Sequence, residues 1–197
     1  MKLHLRSFII ISLVVLIDQL LKVWIKSNMY LGEEIYIAGN WFIIHFTENN
    51  GMAFGMEFGG ETGKLILTLF RIVAVSGIGY GLHFLITKKY HVGFVYCTAL
   101  IFAGALGNII DSTFYGLFFG YERLFFGRVV DMFYFPIIQG QYPTWFPIWG
   151  GQEFIFFRPV FNIADASISV GVIIILLFQK RFFGEPDEVS PVINKKI

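Results

Sequence analysis

Charged residues are scarce in this sequence. Asp, Glu, Lys and Arg make up 15% of the 197 residues, whereas hydrophobic residues make up 56% and the mean hydropathy is +0.67. A soluble domain of this length needs fewer apolar residues to build its core and more polar residues to cover it. The sequence therefore predicts that part of the protein's surface contacts membrane lipid.

The sequence also lacks the features of two other protein classes. Its formal net charge is only +1 and it has no dense stretch of Lys and Arg, which argues against nucleic acid as a partner. Cys97 is the only cysteine, so no disulfide can form within the chain. Its position in an apolar run is typical of a small buried hydrophobic residue.

Familiar catalytic motifs are missing too. There is no Gly-x-Ser-x-Gly nucleophile elbow and no P-loop. The four histidines are dispersed and form no His-x-x-x-His or Glu-x-x-His pair of the kind that zinc hydrolases use; they are His4, His45, His83 and His91. We expect no metal and no cofactor, so any chemistry should rest on carboxylates and amides.

Four long apolar runs are the main feature that is present. They occupy residues 8–24, 65–86, 92–110 and 168–183. At about 1.5 Å of rise per helical residue, each run crosses or nearly crosses a hydrocarbon layer of roughly 30 Å. The sequence predicts a single α-helical membrane domain with four transmembrane helices.

The first run resembles a signal peptide because basic residues precede it. A small-residue cleavage site would be expected after it, but Asp18, Gln19, Lys22 and Trp24 stand there instead. We therefore expect a retained membrane span.

The distribution of basic residues predicts the orientation of the spans. Basic side chains cluster before the first span, between the second and third, and after the fourth; they are Lys2, Arg6, Lys88, Lys89, His91, Lys180 and Arg181. By the positive-inside rule these clusters are cytoplasmic, and so are both termini. The two remaining connections, residues 26–64 and 111–166, then face outward, where we expect any chemistry.

Local patterns predict the structure of two further segments. Residues 34–47 hold two β-rich runs around a Gly39-Asn40 turn signal, which indicates a β-hairpin and hence a small sheet at the membrane surface. Residues 184–197 are polar and contain Pro186 and Pro191, which predicts a loose cytoplasmic tail.

Ionisable residues in or near the spans are costly, by a few kcal/mol each, and are therefore usually paired or functional. Asp18 and Lys22 are four residues apart and share a helix face, which fits either an ion pair that eases insertion or a supporting role at a site. Asn108 and Asp111 are three residues apart at the outer end of the third span. They fit a structural clamp and a catalytic support equally well.

Two more carboxylates lie in the second outer connection. Asp131 follows a short apolar stretch, and by itself it is compatible with an ordinary loop carboxylate. Asp165 lies just before the last span, and its spacing alone favours a helix cap in which Asn162 is the N-cap residue. The alternative to an enzyme is a small non-enzymatic membrane protein, such as a transporter or assembly factor, which would place its acids at mid-bilayer depth.

Four blocks, taken together and in this order, resemble the lipoprotein signal peptidase family, also called signal peptidase II. The blocks are Asp18-Gln-Leu-Leu-Lys22, Asn49-Asn-Gly-Met-Ala-Phe54, Gly104-Ala-Leu-Gly-Asn-Ile-Ile-Asp111, and Val129-Val-Asp131 with Phe161-Asn-Ile-Ala-Asp165. Each block is short, but all of them fall near the predicted outer ends of the helices. The resemblance covers residues 18–178.

The resemblance implies an activity and a fold. The family consists of aspartyl endopeptidases of the bacterial cytoplasmic (inner) membrane, which cut the signal peptide from diacylglyceryl-modified prolipoproteins just before the lipidated cysteine. It implies four membrane helices with a small extracytoplasmic β-cradle, an active site on the extracytoplasmic side, membrane lipids as partners, and inhibition by the cyclic peptide globomycin.

The resemblance also implies the site residues. By motif match, Asp131 and Asp165 are the catalytic pair. The substrate-binding or supporting residues are Asp18, Lys22, Asn49, Gly51, Asn108, Asp111 and Asn162.

Two features depart from the family pattern. The family usually has an arginine directly after the aspartate of the third block, whereas Ser112 stands there, and Arg123 or Arg128 is a candidate to replace it. The segment 132–159 also looks longer than is typical and is rich in proline, glycine and aromatic residues. We expect it to form a mobile outer lid over the site.

Overall fold

The helices carry most of the architecture. The computed structural model of the chain describes residues 2–50, 60–136, 138–156 and 159–183. Within these, the helices are α1 (Lys2–Asn28), α2 (Gly60–Thr87), α3 (Val92–Ile110), α4 (Gly116–Phe118), α5 (Ile163–Leu177) and α6 (Gln179–Phe183). A helix lies at each of the four predicted positions. Residue Gly51 and the predicted tail 184–197 lie outside the described residues.

Three described stretches are long and apolar enough to cross a membrane, namely Lys2–Asn28, Gly60–Thr87 and Val92–Phe118. The fourth apolar helix, α5, has 15 residues. That length gives about 22 Å at the usual helical rise, which is less than a hydrocarbon layer of roughly 30 Å. A membrane protein with three long apolar helices is thus established, and a fourth crossing stays a prediction.

The third helix does not end where the sequence predicted an outer connection to begin. It continues after Ile110 as a π-helical segment, Asp111–Tyr115, which leads directly into α4. The sequence predicted an outer connection over residues 111–166, but Asp111, Ser112 and Thr113 are all buried against other elements. Tertiary contacts therefore stabilise a helical turn that local sequence disfavours.

The strands form two small antiparallel sheets. The larger has the order β1 (Glu34–Ala38), β2 (Phe42–Asn49), β3 (Val129–Tyr134) and β6 (Val160–Phe161). The smaller pairs β4 (Ile138–Gln141) with β5 (Glu153–Phe156). Strands β1 and β2 form the predicted hairpin, and Gly39 in its turn has a φ of 51°, a conformation that glycine adopts without strain.

The hydrophobic core at this end of the molecule joins the sheet to the helices. Its buried members are Ile25, Met29, Phe46, Tyr115, Val130 and Met132. Because side chains alternate along a strand, Val130 and Met132 point into this core while Asp131 points to the opposite face of β3. The alternation thus directs the Asp131 carboxylate away from the apolar core.

Small residues let α3 approach its neighbours closely. A Cβ atom added at Gly107 would lie only 2.7 Å from Oδ2 of Asp18, and one at Gly171 only 2.8 Å from the carbonyl oxygen of Cys97. Glycine at these positions permits the close helix packing that membrane proteins favour. It also allows the polar side chains of α1, α3 and α5 to come together.

Candidate active site

The start of α5 places Asn162 and Asp165 close to Asp131 of β3. Asn162 is the N-cap residue, and its Oδ1 accepts a hydrogen bond of 2.9 Å from the backbone N–H of Asp165. The predicted helix cap is therefore confirmed. The same side chain does more, because its Nδ2 donates a hydrogen bond of 2.7 Å to Oδ1 of Asp131. The capping role and a role beside the carboxylates coexist.

A second amide connects Asp165 to the rest of the cluster. Asn108, near the end of α3, donates from Nδ2 to Oδ1 of Asp165 at 2.7 Å. Its Oδ1 accepts from Nδ2 of Asn162 at 3.2 Å and from Nζ of Lys22 at 2.9 Å. The two amides thus link Asp131 and Asp165 into one hydrogen-bonded group.

Lys22 lies at the centre of the supporting cluster. Its ammonium group lies 2.8 Å from Oδ2 of Asp18, 2.7 Å from Oδ2 of Asp111 and 2.9 Å from Oδ1 of Asn108. An ammonium has three N–H donors, so these three acceptors satisfy it completely. The expected pair of Asp18 with Lys22 is present, and it extends to a second carboxylate on the chain that follows α3.

Burial makes the stability of this cluster depend on all of its ion pairs. The side chains of Lys22 and Asp111 are 0% exposed and that of Asp18 is 1% exposed. Removing one partner from such a buried charge group typically costs about 3–5 kcal/mol, because it leaves an uncompensated charge. The cluster is therefore stable only as a whole.

The cluster also fixes the start of α5 and the end of α3. Oδ1 of Asp18 accepts a hydrogen bond of 2.9 Å from the backbone N–H of Ala164, one of the donors that the first helical turn leaves unpaired. Gln19 donates to Oδ1 of Asp111 at 2.8 Å and accepts from the hydroxyl of Tyr115 at 3.1 Å. Helix α1 thereby positions both Asp165 and Asp111.

The electrostatic environment keeps Asp131 partly protonated near neutral pH. Burial of its side chain raises the pKa of Asp131 to about 7, and the nearby charge of Asp165 adds to this effect. The charge of Lys22 and the hydrogen bond from Asn162 oppose the rise but do not cancel it. Two carboxyl groups in such a setting can share one proton, so that one acts as an acid while the other acts as a base.

The structure also contains an arginine that the sequence analysis missed. Nη1 of Arg71, on α2, lies 3.4 Å from Oγ of Ser112. The two arginines considered as replacements for the family arginine pair with other residues, Arg123 with Glu61 and Arg128 with Glu48. Arg71 is a charged residue inside an apolar run, which is the same signal that drew attention to Asp18 and Lys22.

Two expected substrate-binding residues lie in the first outer connection. Asn49 is the last residue of β2 and pairs with Val129, while Thr47 of the same strand pairs with Asp131. Asn49 is thus on the strand beside Asp131. Gly51 is outside the described residues, so its expected role stays a prediction.

The described parts of the chain hold no group of three or more His, Cys, Asp or Glu side chains arranged to bind a metal ion. His45 pairs with Glu34 on the sheet, at 2.9 Å. His4 and His83 contact each other, with ring centroids 6.0 Å apart. Metal-independent chemistry therefore stays an expectation to be tested.

Comparison with known proteins gives a consistent result. The family model described as signal peptidase (SPase) II matches residues 10–181. A lipoprotein signal peptidase of Porphyromonas gingivalis is 49% identical to this chain, over 87% of the chain and 81% of its own length. One of Amoebophilus asiaticus is 38% identical, over 88% of the chain and 77% of its own length.

A solved structure is similar as well. It is described as a bacterial membrane enzyme determined by the in meso method at 2.3 Å resolution. Its sequence is 28% identical, the TM-score is 0.62, and the match covers 94% of each chain. The chain therefore shares its fold with a bacterial membrane enzyme.

Proposed function

The chain belongs to the signal peptidase II family, and from this premise we propose that Asp131 and Asp165 are the two catalytic carboxylates with which it cleaves prolipoprotein signal peptides. The chain is a peptidase of the bacterial inner membrane, as its family membership and apolar helices indicate. The non-enzymatic alternative is not favoured. The substrate is a lipid-modified prolipoprotein, cut just before its lipidated cysteine.

One observation carries the assignment of the catalytic pair. Asn162 donates to Asp131 at 2.7 Å, and Asn108 donates to Asp165 at the same distance. A helix cap alone would need only the hydrogen bond that the backbone N–H of Asp165 donates to Oδ1 of Asn162. The additional hydrogen bonds from the side-chain amides of Asn162 and Asn108 hold the two carboxylates in fixed positions, as a shared proton-transfer task requires.

The proposed reaction needs one ionised and one protonated carboxyl group. The ionised group takes a proton from water as the water attacks the scissile carbonyl carbon. The protonated group gives its proton to the carbonyl oxygen, so that a neutral gem-diol intermediate forms. As this intermediate collapses, the group that took the water proton passes it to the leaving nitrogen and the C–N bond breaks. The other group takes a proton back from a hydroxyl of the gem-diol, which restores the starting state of the pair. The raised pKa of Asp131 supports a pair that holds one proton near neutral pH.

The membrane contributes to substrate selection in this proposal. A lipid-anchored substrate diffuses laterally to the enzyme, which raises its effective concentration and fixes the depth of its scissile bond. We place the site on the extracytoplasmic side and both termini in the cytoplasm, because the basic clusters lie at the opposite ends of the helices. Asn49, Gly51, Asp111, Asp18 and Lys22 would bind substrate or support the pair.

The test is cleavage of a lipidated prolipoprotein by purified Asp131→Asn and Asp165→Asn variants. We expect each to lose at least about 100-fold in kcat, since each removes one half of the proton transfer. Both should remain folded, because asparagine has nearly the same shape. If Asp165 only stabilised the start of helix α5, the Asp165→Asn substitution would instead cost on the order of 1 kcal/mol of stability and leave turnover intact.

Controls make this experiment specific. Glu34→Gln replaces a carboxylate of β1 that pairs with His45, outside the proposed site, and should leave turnover unchanged. We also expect the wild-type activity to survive EDTA and to be inhibited by globomycin. Substantial turnover by either aspartate variant would remove the assignment, and loss of activity in EDTA that zinc restores would indicate a metallohydrolase.

A further inference from the structure

Arg71 is a half-buried cation that the proposed mechanism does not use. It lies on α2 one turn after Thr68, whose hydroxyl donates to the carbonyl oxygen of Phe125 at 3.1 Å. Phe125 in turn donates from its backbone N–H to the carbonyl oxygen of Thr113 at 2.9 Å. This face of α2 is therefore fixed against the chain that follows α3.

The guanidinium group of Arg71 reaches the proposed catalytic pair through Ser112. Its Nη1 lies 3.4 Å from Oγ of Ser112, and that hydroxyl donates to the carbonyl oxygen of Asn108 at 2.9 Å. Asn108 is the residue whose amide donates to Asp165. Arg71 also interacts electrostatically with Asp165 and, more weakly, with Asp131.

The pair is thus surrounded by charges from three elements. Asp18 and Lys22 come from α1, Arg71 from α2, and Asp111 from the chain after α3. Lys22 opposes the rise in the pKa of Asp131, but its ammonium group is already shared among Asp18, Asp111 and Asn108. Without a further cation, the negative charges around the pair would favour the state in which both carboxylates are protonated.

We propose that Arg71 is a positioning residue whose positive charge, held by Ser112, keeps one of the two catalytic carboxylates ionised. It does so from α2, in place of the arginine that resembling sequences carry at the position of Ser112. This inference rests on the proposed function, because it concerns the protonation of the same pair. A cation beside two carboxylates lowers the pH at which each loses its proton, and thus sets the pH range of activity.

The test compares pH profiles of kcat for the full-length protein in lipid or detergent, with a lipidated prolipoprotein as substrate. Removing the charge with Arg71→Gln should move both limbs of the profile to higher pH, by about one unit. At the acidic end of the wild-type range this corresponds to a loss of about tenfold in kcat. Arg71→Lys retains the charge and should keep the profile close to that of the wild type.

Three further variants distinguish an effect of the Arg71 charge from an effect on the protein's structure. Arg123→Gln removes an exposed arginine that pairs with Glu61, and the profile should not move. The double variant Arg71→Gln with Ser112→Arg returns a positive charge to the neighbouring position and should move the profile back. If Arg71→Gln does not insert stably, Arg71→Met keeps the apolar stem and removes the same charge, and the same shift is expected.

The outcomes distinguish this inference from the proposed function. If Asp131→Asn or Asp165→Asn remains active in the same assay, the catalytic pair itself is wrong. If both are inactive but the neutral Arg71 variants keep the wild-type profile, even with lower kcat, Arg71 is merely structural and the inference is overturned. A shift that the double variant fails to reverse would overturn the equivalence of the two positions.

Discussion

Asn162 performs two tasks with a single amide group. Its oxygen caps α5 and its nitrogen donates to Asp131, so the helix start and the proposed catalytic carboxylate are fixed by the same side chain. Neither serine nor aspartate, which also cap helices well, offers an amide N–H to a carboxylate. The chemistry of the site therefore restricts a position that capping alone would leave open to several residue types.

The raised pKa of Asp131 leads to a prediction for the wild-type enzyme. In the proposed mechanism the pair holds one proton, and the pKa of about 7 means that Asp131 loses its proton as the pH rises through that value. Above that pH both groups are ionised and neither can donate to the carbonyl oxygen, so kcat should fall. At low pH both groups are protonated and no base remains, so kcat should fall again.

The measurement is kcat as a function of pH at saturating substrate, which reports the enzyme–substrate complex. A bell-shaped curve with its alkaline midpoint within about one unit of 7 is expected. The Glu34→Gln variant should give the same curve as the wild type. An activity that keeps rising through pH 9 would contradict a shared proton.

At the scale of elements, the expected lid 132–159 begins within β3, whose Met132 is buried in the core, and its exposed part is the β4–β5 hairpin. It is a regular two-stranded sheet, and beyond the strands the backbone N–H of Tyr142 donates a hydrogen bond of 2.9 Å to the carbonyl oxygen of Gln152. Its tip is strongly apolar: Trp145 is 78% exposed and Ile148 is 85% exposed. So much apolar surface on a structured hairpin suits contact with the membrane interface or with a bound acyl chain.

Shortening this hairpin tests the lid prediction. Residues 139–152 would be replaced by a short Gly/Ser linker. We expect KM for the lipidated substrate to rise about tenfold while kcat is largely kept, because the hairpin would contribute binding and not proton transfer. Trp145→Ser is a milder variant and should change KM in the same direction.

Steady-state kinetics with purified protein provide the measurement. A variant of a neighbouring exposed residue outside the tip, such as Glu153→Gln, should match the wild type. Unchanged kinetics after the replacement would show that the hairpin is dispensable. A large loss of kcat with an unchanged KM would show that it acts on the chemistry.

Local patterns in the sequence predicted these elements to different degrees. The apolar runs and the Gly39-Asn40 turn signal are local, so the helices and the first hairpin could be predicted from them. The helical continuation at Asp111 could not, because the buried carboxylate of Asp111 is satisfied by Gln19 and Lys22 from α1. Arg71 could have been found, because a charge inside an apolar run is a local signal, but its contact with Ser112 on another element could not be predicted.

The whole molecule has a predicted orientation that can be tested independently of catalysis. The basic cluster between α2 and α3 should be cytoplasmic, and the β4–β5 hairpin extracytoplasmic. Cys97 is the only cysteine and is 4% exposed, so it should give little background labelling. A cysteine can therefore be introduced on either side and probed in intact cells.

We expect Trp145→Cys to react with a membrane-impermeant maleimide in intact cells. Lys88→Cys should react only after the membrane is permeabilised. A Cys97→Ala background removes the remaining thiol and serves as the control. The opposite labelling pattern would invert the orientation, and with it the side on which the site faces.

The distribution of the site over α1, α3 and α5 has a consequence for biosynthesis. Asp18 and Lys22 emerge from the ribosome together and can neutralise each other at once, since they are one helical turn apart. The other acceptors of Lys22 arrive with the third helix, and Asp165 arrives only with the last long one. Under the proposed assignment of Asp131 and Asp165, the nascent chain therefore has no complete catalytic pair while its first three helices are inserted, and it becomes a protease only when its synthesis is almost complete.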